Sequence, residues 1–399
     1  MYNYMRWKRL HKLGVYGAYK NYVQKYKRGE QMKKILTVLL SIAMIFTLAA
    51  CGGGSDDNGG ATTGGSDVEQ VAVFWYTFAD DYLSTVRAAL NNEFNAAGIS
   101  YKDYDGNGNQ TDQTNQITTA LAAGVKVLVV NQVESNSVDT TKAILDAAKA
   151  ADAKVVFFNR SISADDAEAE ALLNEYGSAF VGTDYEQAGH YEGKIIGDYL
   201  LANYDALDLN KDGKISYVML KGQEGNTEAI ARTQFSVEDA NAMLTEAGKP
   251  ELAYYDEKAT TQYLVDANGT WSQEAAFNHL ETVLAQYNEA NNNMPELIIA
   301  NNDGMALGAI QSLQGHGYND GKGTTIPVFG VDAIQAAKDA IDAGNMTGTV
   351  KQDGEGMAKV VCLTASNLIA GEAPVTNIPA EYEAVGTWRV NIPYSAYTK

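Results

Sequence analysis

Short, continuous apolar runs recur along the chain from Val71 onward, and each is followed by an amphipathic stretch of helical length. Six runs stand out, VAVFW, KVLVV, KVVFF, ISYVML, ELIIA and PVFGV, at 71–75, 126–130, 154–158, 215–220, 296–300 and 327–331. Runs this short, without polar interruption, are typical of strands buried on both faces of a parallel sheet. The alternation continues over about 320 residues, more than one compact sheet holds, so it predicts an α/β protein with two lobes.

The segments between the apolar runs carry helical periodicity. In the clearest case, residues 81–95, Leu83, Val86, Leu90 and Phe94 fall on one stripe. Further helices are predicted at roughly 115–123, 138–150, 186–203, 272–290, 303–315 and 354–370.

The first 67 residues have the composition of a leader and a tether. Residues 1–31 are interpreted as a start assigned too early, or as a long basic n-region before Met32. Residues 32–50 contain two lysines and then an apolar stretch, the pattern of a signal peptide. Residues 51–67 are rich in Gly, Ser and Asp and are predicted to be a tether.

The cysteine that follows the leader, Cys51, resembles the lipid-bearing cysteine of bacterial lipoproteins. That resemblance implies cleavage before Cys51 and an extracytoplasmic protein held to the cell membrane by a lipid. The alternative is an ordinary signal peptide with a stray cysteine. The second cysteine, Cys362, is predicted to pack inside a helix, so no intramolecular disulfide is expected.

The charge balance disfavours a role in binding DNA. The whole chain carries 30 Lys and Arg against 50 Asp and Glu, a net charge of −20. Cleavage before Cys51 would leave 20 basic and 49 acidic side chains, a net charge of −29. Such a surface repels a phosphate backbone.

Polar side chains follow several of the predicted strands, namely Asp80, Asn131, Asn302 and Asp332. Ligands of open α/β sheets bind at the carboxyl ends of the strands, so these residues are candidates for a site. The alternative is that they only cap the helices that follow. Amides and carboxylates beside aromatic residues suit a neutral polyol, whose hydroxyls donate and accept and whose C–H faces pack on rings. No phosphate-binding glycine loop occurs in the sequence.

The stretch DLNKDGKIS, residues 208–216, matches the first nine positions of a calcium loop. Its candidate ligands are Asp208, Asn210, Asp212, the backbone carbonyl of Lys214, and Ser216. The carboxylate expected at position 12 is missing, because Met219 stands there. The loop is therefore either an Asx-rich turn without metal or one completed from elsewhere in the chain. A similar stretch at 103–112 is interpreted as a turn and a helix cap.

Eight ordered motifs together resemble the periplasmic galactose/glucose-binding proteins of ABC sugar importers, over roughly residues 71–399. They are VVFFN, VGTD, DLNKDGKI, LKGQEGN, ART, IANND, PVFGVDA and GTV. The resemblance implies two Rossmann-like lobes, the type I periplasmic binding protein fold, joined by a three-segment hinge. The first lobe would comprise 71–182 and 354–389, and the second 184–350 and 391–399.

The resemblance also implies a site for a monosaccharide between the lobes. The implied sugar-binding residues are Asp80, Tyr82, Asn131, Asn226, Glu228, Arg232, Trp271, Asn302, Asp332 and Gln352. Tyr82 and Trp271 would sandwich the ring. Asn226, Glu228 and Gln352 replace the histidine, aspartate and asparagine of the family pattern, which leaves open whether galactose, glucose, another hexose or a pentose is preferred.

In the same family a glutamate before the IANND motif completes the calcium loop, and here that residue is Glu296. The resemblance thus implies a structural calcium ion and, as partners, the membrane subunits of an ABC permease. A lipoprotein sensor that feeds a chemoreceptor or a histidine kinase is the alternative. A repressor core would need a DNA-binding segment that the leader replaces, and an enzyme is not expected, because the histidines lie at no metal-ligand spacing.

Overall fold

The computed structural model describes residues 69–399, so the leader, Cys51 and the tether lie outside the described residues. The described strands are β1 Val71–Trp75, β2 Tyr101–Asp105, β3 Val127–Val130, β4 Lys154–Phe158, β5 Ala179–Gly182, β6 Ser216–Lys221, β7 Ala253–Tyr254, β8 Leu264–Val265, β9 Leu297–Ala300, β10 Val328–Asp332, β11 Gly348–Gln352, β12 Glu383–Val385, β13 Arg389–Asn391 and β14 Tyr394–Thr398.

The described helices alternate with the strands. They are α1 Asp81–Ala97, α2 Gln110–Ala122, α3 Val138–Ala150, α4 Asp166–Tyr176, α5 Tyr185–Leu207, α6 Thr227–Glu246, α7 Gln273–Leu284, α8 Asp303–Gly315, α9 Gln335–Ala343 and α10 Gly354–Ile369, with one 3-10 turn at Glu289–Asn291. No helix in this part of the chain is long and apolar enough to cross a lipid bilayer.

The strands form two sheets, one in each lobe. The first sheet has the order β12-β13-β5-β4-β3-β1-β2, and the second has the order β14-β11-β10-β9-β6-β7 with β8 also paired to β6. Pairing is parallel except at one edge of each sheet, where β12 runs antiparallel to β13 and β14 to β11. The chain passes between the sheets three times, at 182–185, 352–354 and 391–394, which forms the three-segment hinge.

All six apolar runs are strands, as predicted. Every residue of β1 is inaccessible to solvent, because helices cover both faces of the sheet. The sequence analysis missed strands that lie at sheet edges or are very short. An example is β2, YKDYD, which pairs with a neighbour on one side only and does not need an apolar run.

Three helices were also missed, α4, α6 and α9, because small residues supply much of the buried face. In α4 the buried positions are Ala169, Leu173 and Tyr176, which form too thin a stripe to recognise.

The turn and cap predicted at 103–112 are confirmed. Asn109 caps α2 by accepting hydrogen bonds from the backbone N–H groups of Thr111 and Asp112.

The predicted position of Cys362 is confirmed as well. It is a free, buried cysteine within α10. Burial raises the pKa of its thiol to about 11, so the thiol stays protonated at neutral pH and serves as packing rather than as a nucleophile.

Helices α5 and α6 pack closely through a row of glycines. A Cβ atom on Gly193 would lie 2.7 Å from the carbonyl oxygen of Phe235 and 2.7 Å from Cβ of Asp239. A Cβ on Gly189 would lie 2.6 Å from the carbonyl oxygen of Ala231. Because these are mainly backbone atoms of the facing helix, the two helices would have to separate to admit a side chain.

We therefore expect Gly193→Ala to lower the free energy of unfolding by about 1–3 kcal/mol, the usual cost of overpacking. The matched control is Gly315→Ala, because Gly315 is also helical and a Cβ there would meet no atom within 4 Å. Urea unfolding of both variants provides the measurement. Equal stability of Gly193→Ala and the unmodified protein would show that the helices separate without cost.

Candidate functional site

A cavity lies between the two lobes, at the carboxyl ends of strands from both sheets. The empty space between its walls, counted together with the open solvent at its mouth, is about 390 Å³. Twelve residues line it: Tyr76, Asp80, Tyr82, Asn159, Arg160, Asn226, Glu228, Arg232, Trp271, Asn302, Asp332 and Gln352. The structure therefore brings together nine of the ten predicted sugar-binding residues, all except Asn131.

The first lobe contributes a carboxylate and a ring from the segment that follows β1. Asp80 caps α1 by accepting from the N–H of Leu83 at 2.8 Å, and its second oxygen accepts from the hydroxyl of Tyr76 at 2.7 Å. The same residue thus caps a helix and lines the cavity. The hydroxyl of Tyr82 lies 3.8 Å from the sulfur of Met357, so this polar atom is directed into the lobe.

Asn131, predicted to bind sugar, does not line the cavity and is fully buried beneath it. Its Oδ1 accepts from the N–H of Tyr76 at 3.2 Å. Its Nδ2 donates to the carbonyl oxygen of Phe158 and to Oδ1 of Asn159, both at 3.1 Å. Because the ends of β1 and β4 occupy its amide, Asn131 positions Asn159, which does line the cavity.

Three lining residues were missed, Tyr76, Asn159 and Arg160. Asn159 directly follows β4, the same signal that selected the other candidates. The guanidinium of Arg160 lies 4.2 Å from the ring centre of Tyr76 and donates to the carbonyl oxygens of Gln132 and Val133. No pattern in the sequence indicates that stacking, because the ring and the cation come from different strand ends.

Arg232 is the buried cation of the second lobe. Its Nη1 donates to the carbonyl oxygen of Asn301 at 2.7 Å, and its Nη2 donates to Gln352 and to the hydroxyl of Tyr394, both at 3.1 Å. Asp332 lies 3.9 Å from Nη1. Burial raises the pKa of the Asp332 carboxyl well above its usual range, and the nearby guanidinium opposes that shift.

Two buried polar atoms of the cavity wall have no hydrogen-bond partner, Nε of Arg232 and Oε2 of Glu228. The other oxygen of Glu228 accepts from the hydroxyl of Ser161 at 3.3 Å. An unpaired buried donor or acceptor costs about 1–3 kcal/mol, and a ligand that both donates and accepts would offset that cost at both atoms. A hydroxyl group does both.

The indole of Trp271 is held against the backbone of the second lobe. A Cβ on Gly222 would lie 2.1 Å from two carbons of that ring, so only glycine allows the ring to lie there. Asn302 caps α8 through the N–H of Met305 and donates to the carbonyl oxygen of Trp271 at 3.3 Å. Asn302 therefore fixes both a helix and the loop that presents the ring.

Left-handed backbone conformations concentrate at this cavity. Three lining residues have positive φ, Asn159 at 63°, Trp271 at 58° and Asp332 at 126°. For Trp and Asp such angles are costly, and the surrounding structure has to enforce them. The loop after β10 is enforced by Asp303, whose carboxylate accepts from the N–H of Ile334 at 2.9 Å and from the hydroxyl of Thr349 at 2.6 Å.

The predicted calcium loop precedes β6, so it lies at the opposite end of the second sheet from the cavity. Asp208 accepts from the backbone N–H groups of Asp212 and Gly213, both at 3.1 Å. Glu296, 1% exposed, accepts from the N–H groups of Asn210 and Ser216 at 2.8 and 2.9 Å. Glu296, the residue predicted to complete the calcium loop, therefore contacts that loop through two hydrogen bonds.

The oxygen donors of that loop suit calcium in their chemistry, but the side chain of one predicted ligand, Asn210, has other partners. The side chain of Asn210 is turned to Met294, with Oδ1 accepting from its N–H and Nδ2 donating to its carbonyl oxygen. Within residues 69–399, no three or more His, Cys, Asp or Glu side chains gather closely enough to hold a metal ion. Calcium binding through Asp208, Asn210, Asp212, Lys214, Ser216 and Glu296 stays a prediction.

Comparisons with known proteins agree with this architecture. A family model described as a periplasmic binding protein domain matches residues 71–373. The D-galactose/methyl-galactoside binding periplasmic protein MglB of Haemophilus influenzae is 33% identical over 305 residues, 76% of this chain and 82% of that protein. The ribose import binding protein RbsB of Bacillus subtilis is 21% identical over 350 residues, 88% of this chain and 97% of that protein.

Solved structures share the fold at low sequence identity. A solute-binding protein of an ABC transporter from Bacillus halodurans, with bound myo-inositol, has a TM-score of 0.61 at 21% identity, covering 84% of this chain and 96% of its own. A Mycobacterium smegmatis protein in complex with β-D-fucofuranose has a TM-score of 0.62 at 19% identity, covering 82% and 90%. The similar proteins are binding proteins rather than enzymes. The chain belongs to the periplasmic binding protein family and has its type I fold of two α/β lobes joined by a three-segment hinge.

Proposed function

We propose that the protein is the sugar-binding component of an ABC importer and captures a neutral monosaccharide between its lobes. The supporting observation is that two residues lining the cavity each have a buried polar atom without a partner, a donor at Nε of Arg232 and an acceptor at Oε2 of Glu228. A sugar hydroxyl accepts from the first and donates to the second, which removes the cost of leaving both unpaired. The closed lobes are then the shape that a membrane permease reads.

Galactose or glucose is the proposed ligand, because a relative that is 33% identical over 305 residues is named for D-galactose and methyl-galactoside. Another hexose or a pentose is the alternative, since other relatives are named for ribose and xylitol. Tyr82 and Trp271, one from each lobe, are proposed to cover the two faces of the sugar. A role as a sugar sensor for a chemoreceptor or a histidine kinase would use the same closed form.

The ligand is proposed to stabilise the closed state of the hinge. A molecule that touches both lobes binds fully only when they are shut, so binding shifts the population to the closed form. Asp80 and Tyr82 lie on one side of the cavity, and Arg232, Asn302 and Asp332 lie on the other. Neither set alone would hold the sugar.

A thermal-shift screen of the purified protein against neutral sugars and charged analogues tests this function. We expect D-galactose or D-glucose at 100 times its Kd to stabilise the folded state by about 2.7 kcal/mol, and galacturonate to give no shift. Glu228→Gln should weaken binding about tenfold to a hundredfold, because an amide N–H₂ or a neutral oxygen replaces the free carboxylate oxygen.

The matched control is Glu246→Gln, the same change at an exposed position of the same helix. Isothermal titration calorimetry gives the Kd of each variant. The proposed site would be contradicted if the protein bound none of the neutral sugars in the panel, or if Glu228→Gln bound sugar with unchanged affinity.

Anchoring by a lipid on Cys51 is proposed for the cellular form of the protein. It rests on the small residues and cysteine that follow the apolar leader. We expect Cys51→Ser to move the protein from the membrane fraction to the soluble extracytoplasmic fraction, with sugar binding unchanged. Fractionation and immunoblotting provide the measurement, and a Cys51→Ser variant that stays in the membrane fraction would exclude the lipid.

A structural calcium ion at the loop 208–216 is a separate proposal. It is supported by the oxygen-rich loop and by the position of Glu296 against Ser216, and it requires Asn210 to turn away from Met294. We expect a chelator to lower Tm by several degrees, because an ion bound only by the folded state stabilises it by mass action.

Asp212→Asn separates that effect from the packing of the loop. Its carboxylate accepts only from the N–H of Lys214 among described donors, a bond that asparagine keeps. The variant should lose the response of Tm to calcium while its Tm in chelator stays unchanged. A Tm that is indifferent to both chelator and calcium would establish that Glu296 closes the loop without metal.

A further inference from the structure

Away from the hinge, several hydrogen bonds join the two lobes, and the two that involve no cavity-lining residue are both made by Asn136. Its Nδ2 donates to the carbonyl oxygen of Gly225 at 2.7 Å, and its Oδ1 accepts from the hydroxyl of Thr227 at 2.7 Å. The orientation of the amide is unambiguous, because the carbonyl of Gly225 can only accept. Asn136, Gly225 and Thr227 are not among the residues that line the cavity.

Each half of this contact is fixed within its own lobe. The N–H of Asn136 donates to the carbonyl oxygen of Ser161 at 2.7 Å, and the residue has a left-handed backbone with φ of 61°. On the other side, Thr227 is the first residue of α6, and Gly225 has φ of 72°. The side chain of Asn136 is therefore presented by an anchored loop to an anchored partner.

The contact lies far from the hinge. The hinge segments leave β5 and β13 in the first sheet and β11 and β14 in the second. Asn136 follows β3, two strands from β5, and Gly225 follows β6, three strands from β11. At ~4.8 Å per strand these are lever arms of roughly 10 and 14 Å. Rotation about the hinge separates residues in proportion to that arm, so opening breaks this contact.

We propose that Asn136, Gly225 and Thr227 form a latch that positions the lobes in the closed state without touching the sugar. This inference rests on the proposed capture of sugar by closure. The latch exists only in the closed form, so it adds to the closed population and raises the apparent affinity by the same factor. Asn136 is a positioning residue. Removing its side chain raises the Kd by lowering the population of the closed form, while the contacts between the sugar and the cavity stay the same.

Asn136→Gly removes the amide and keeps a residue that adopts positive φ without strain. We expect it to bind D-galactose and D-glucose about fivefold to a hundredfold more weakly, the factor that two lost neutral hydrogen bonds supply. Dissociation in stopped flow should be faster by a similar factor, and Tm without sugar should stay near that of the unmodified protein. The matched control is Asn377→Gly, an exposed residue that also has positive φ, 55°.

A double-mutant cycle tests the partner. Thr227→Val keeps the shape of the side chain and removes the hydroxyl, so it should weaken binding. Combined with Asn136→Gly it should weaken binding by less than the product of the two single effects, because both remove the same bond. Independent effects, or an Asn136→Gly variant with unchanged Kd, would overturn the latch and leave the proposed function intact.

Small-angle scattering without sugar distinguishes a failure of the proposed sugar ligands from a failure of the proposed latch. If the unmodified protein binds neither D-galactose nor D-glucose, the proposed ligands fail, and the radius of gyration then decides on the latch. A larger radius for Asn136→Gly than for the unmodified protein and Asn377→Gly supports it. Equal radii overturn it.

Discussion

The guanidinium of Arg232 holds the second lobe's side of the site together. It bonds to the carbonyl of Asn301 after β9, to Gln352 at the end of β11 and to Tyr394 in β14, and Asp332 lies 3.9 Å away at the end of β10. One buried cation therefore links the ends of four strands. Because arginine stays protonated inside proteins, its charge requires the acceptors that those strand ends supply.

The same network reaches the hinge. The hydroxyl of Tyr394 also lies 3.3 Å from the hydroxyl of Thr183, which is in the first crossing between the lobes. Gln352 and Tyr394 themselves border the second and third crossings. A sugar that bonds to the free Nε of Arg232 would thus contact a side chain connected to all three hinge segments. Under the proposed function, sugar binding at Arg232 and the geometry of the hinge would share one set of hydrogen bonds.

Much of this architecture could be predicted from the sequence, because buried parallel strands need uninterrupted apolar runs. Edge strands such as β2 are not recognised in this way, because they pair with one neighbour only, are partly exposed to solvent and do not need an uninterrupted apolar run. The cavity was predictable where a polar residue follows a strand directly, as Asp332 ends β10. The same rule also selected Asn131, which does not line the cavity, because an amide after a strand can equally serve the backbone of neighbouring strands.

Contacts between lobes could not be predicted in the same way. Asn136 and Thr227 are 91 positions apart, and neither carries a charge, a ring or a motif that marks it. Their pairing depends on the angle between two sheets, which no local pattern encodes. The stacking of Arg160 on Tyr76 lies within the first lobe but is equally unmarked in the sequence, since it joins the ends of β4 and β1, which are separated by β3 in the sheet.

The three departures from the family's sugar-binding pattern are not equivalent once their partners are known. Asn226 caps α6 through the N–H of Ala229 and donates to Ser135 in the other lobe, so both ends of its amide are engaged. The oxygen of Gln352 is engaged by Arg232. Glu228 alone keeps a buried oxygen free. If these residues bind the sugar as proposed, we expect Glu228 to contribute most to the choice between sugars, because Asn226 is engaged at both ends of its amide and the oxygen of Gln352 is held by Arg232.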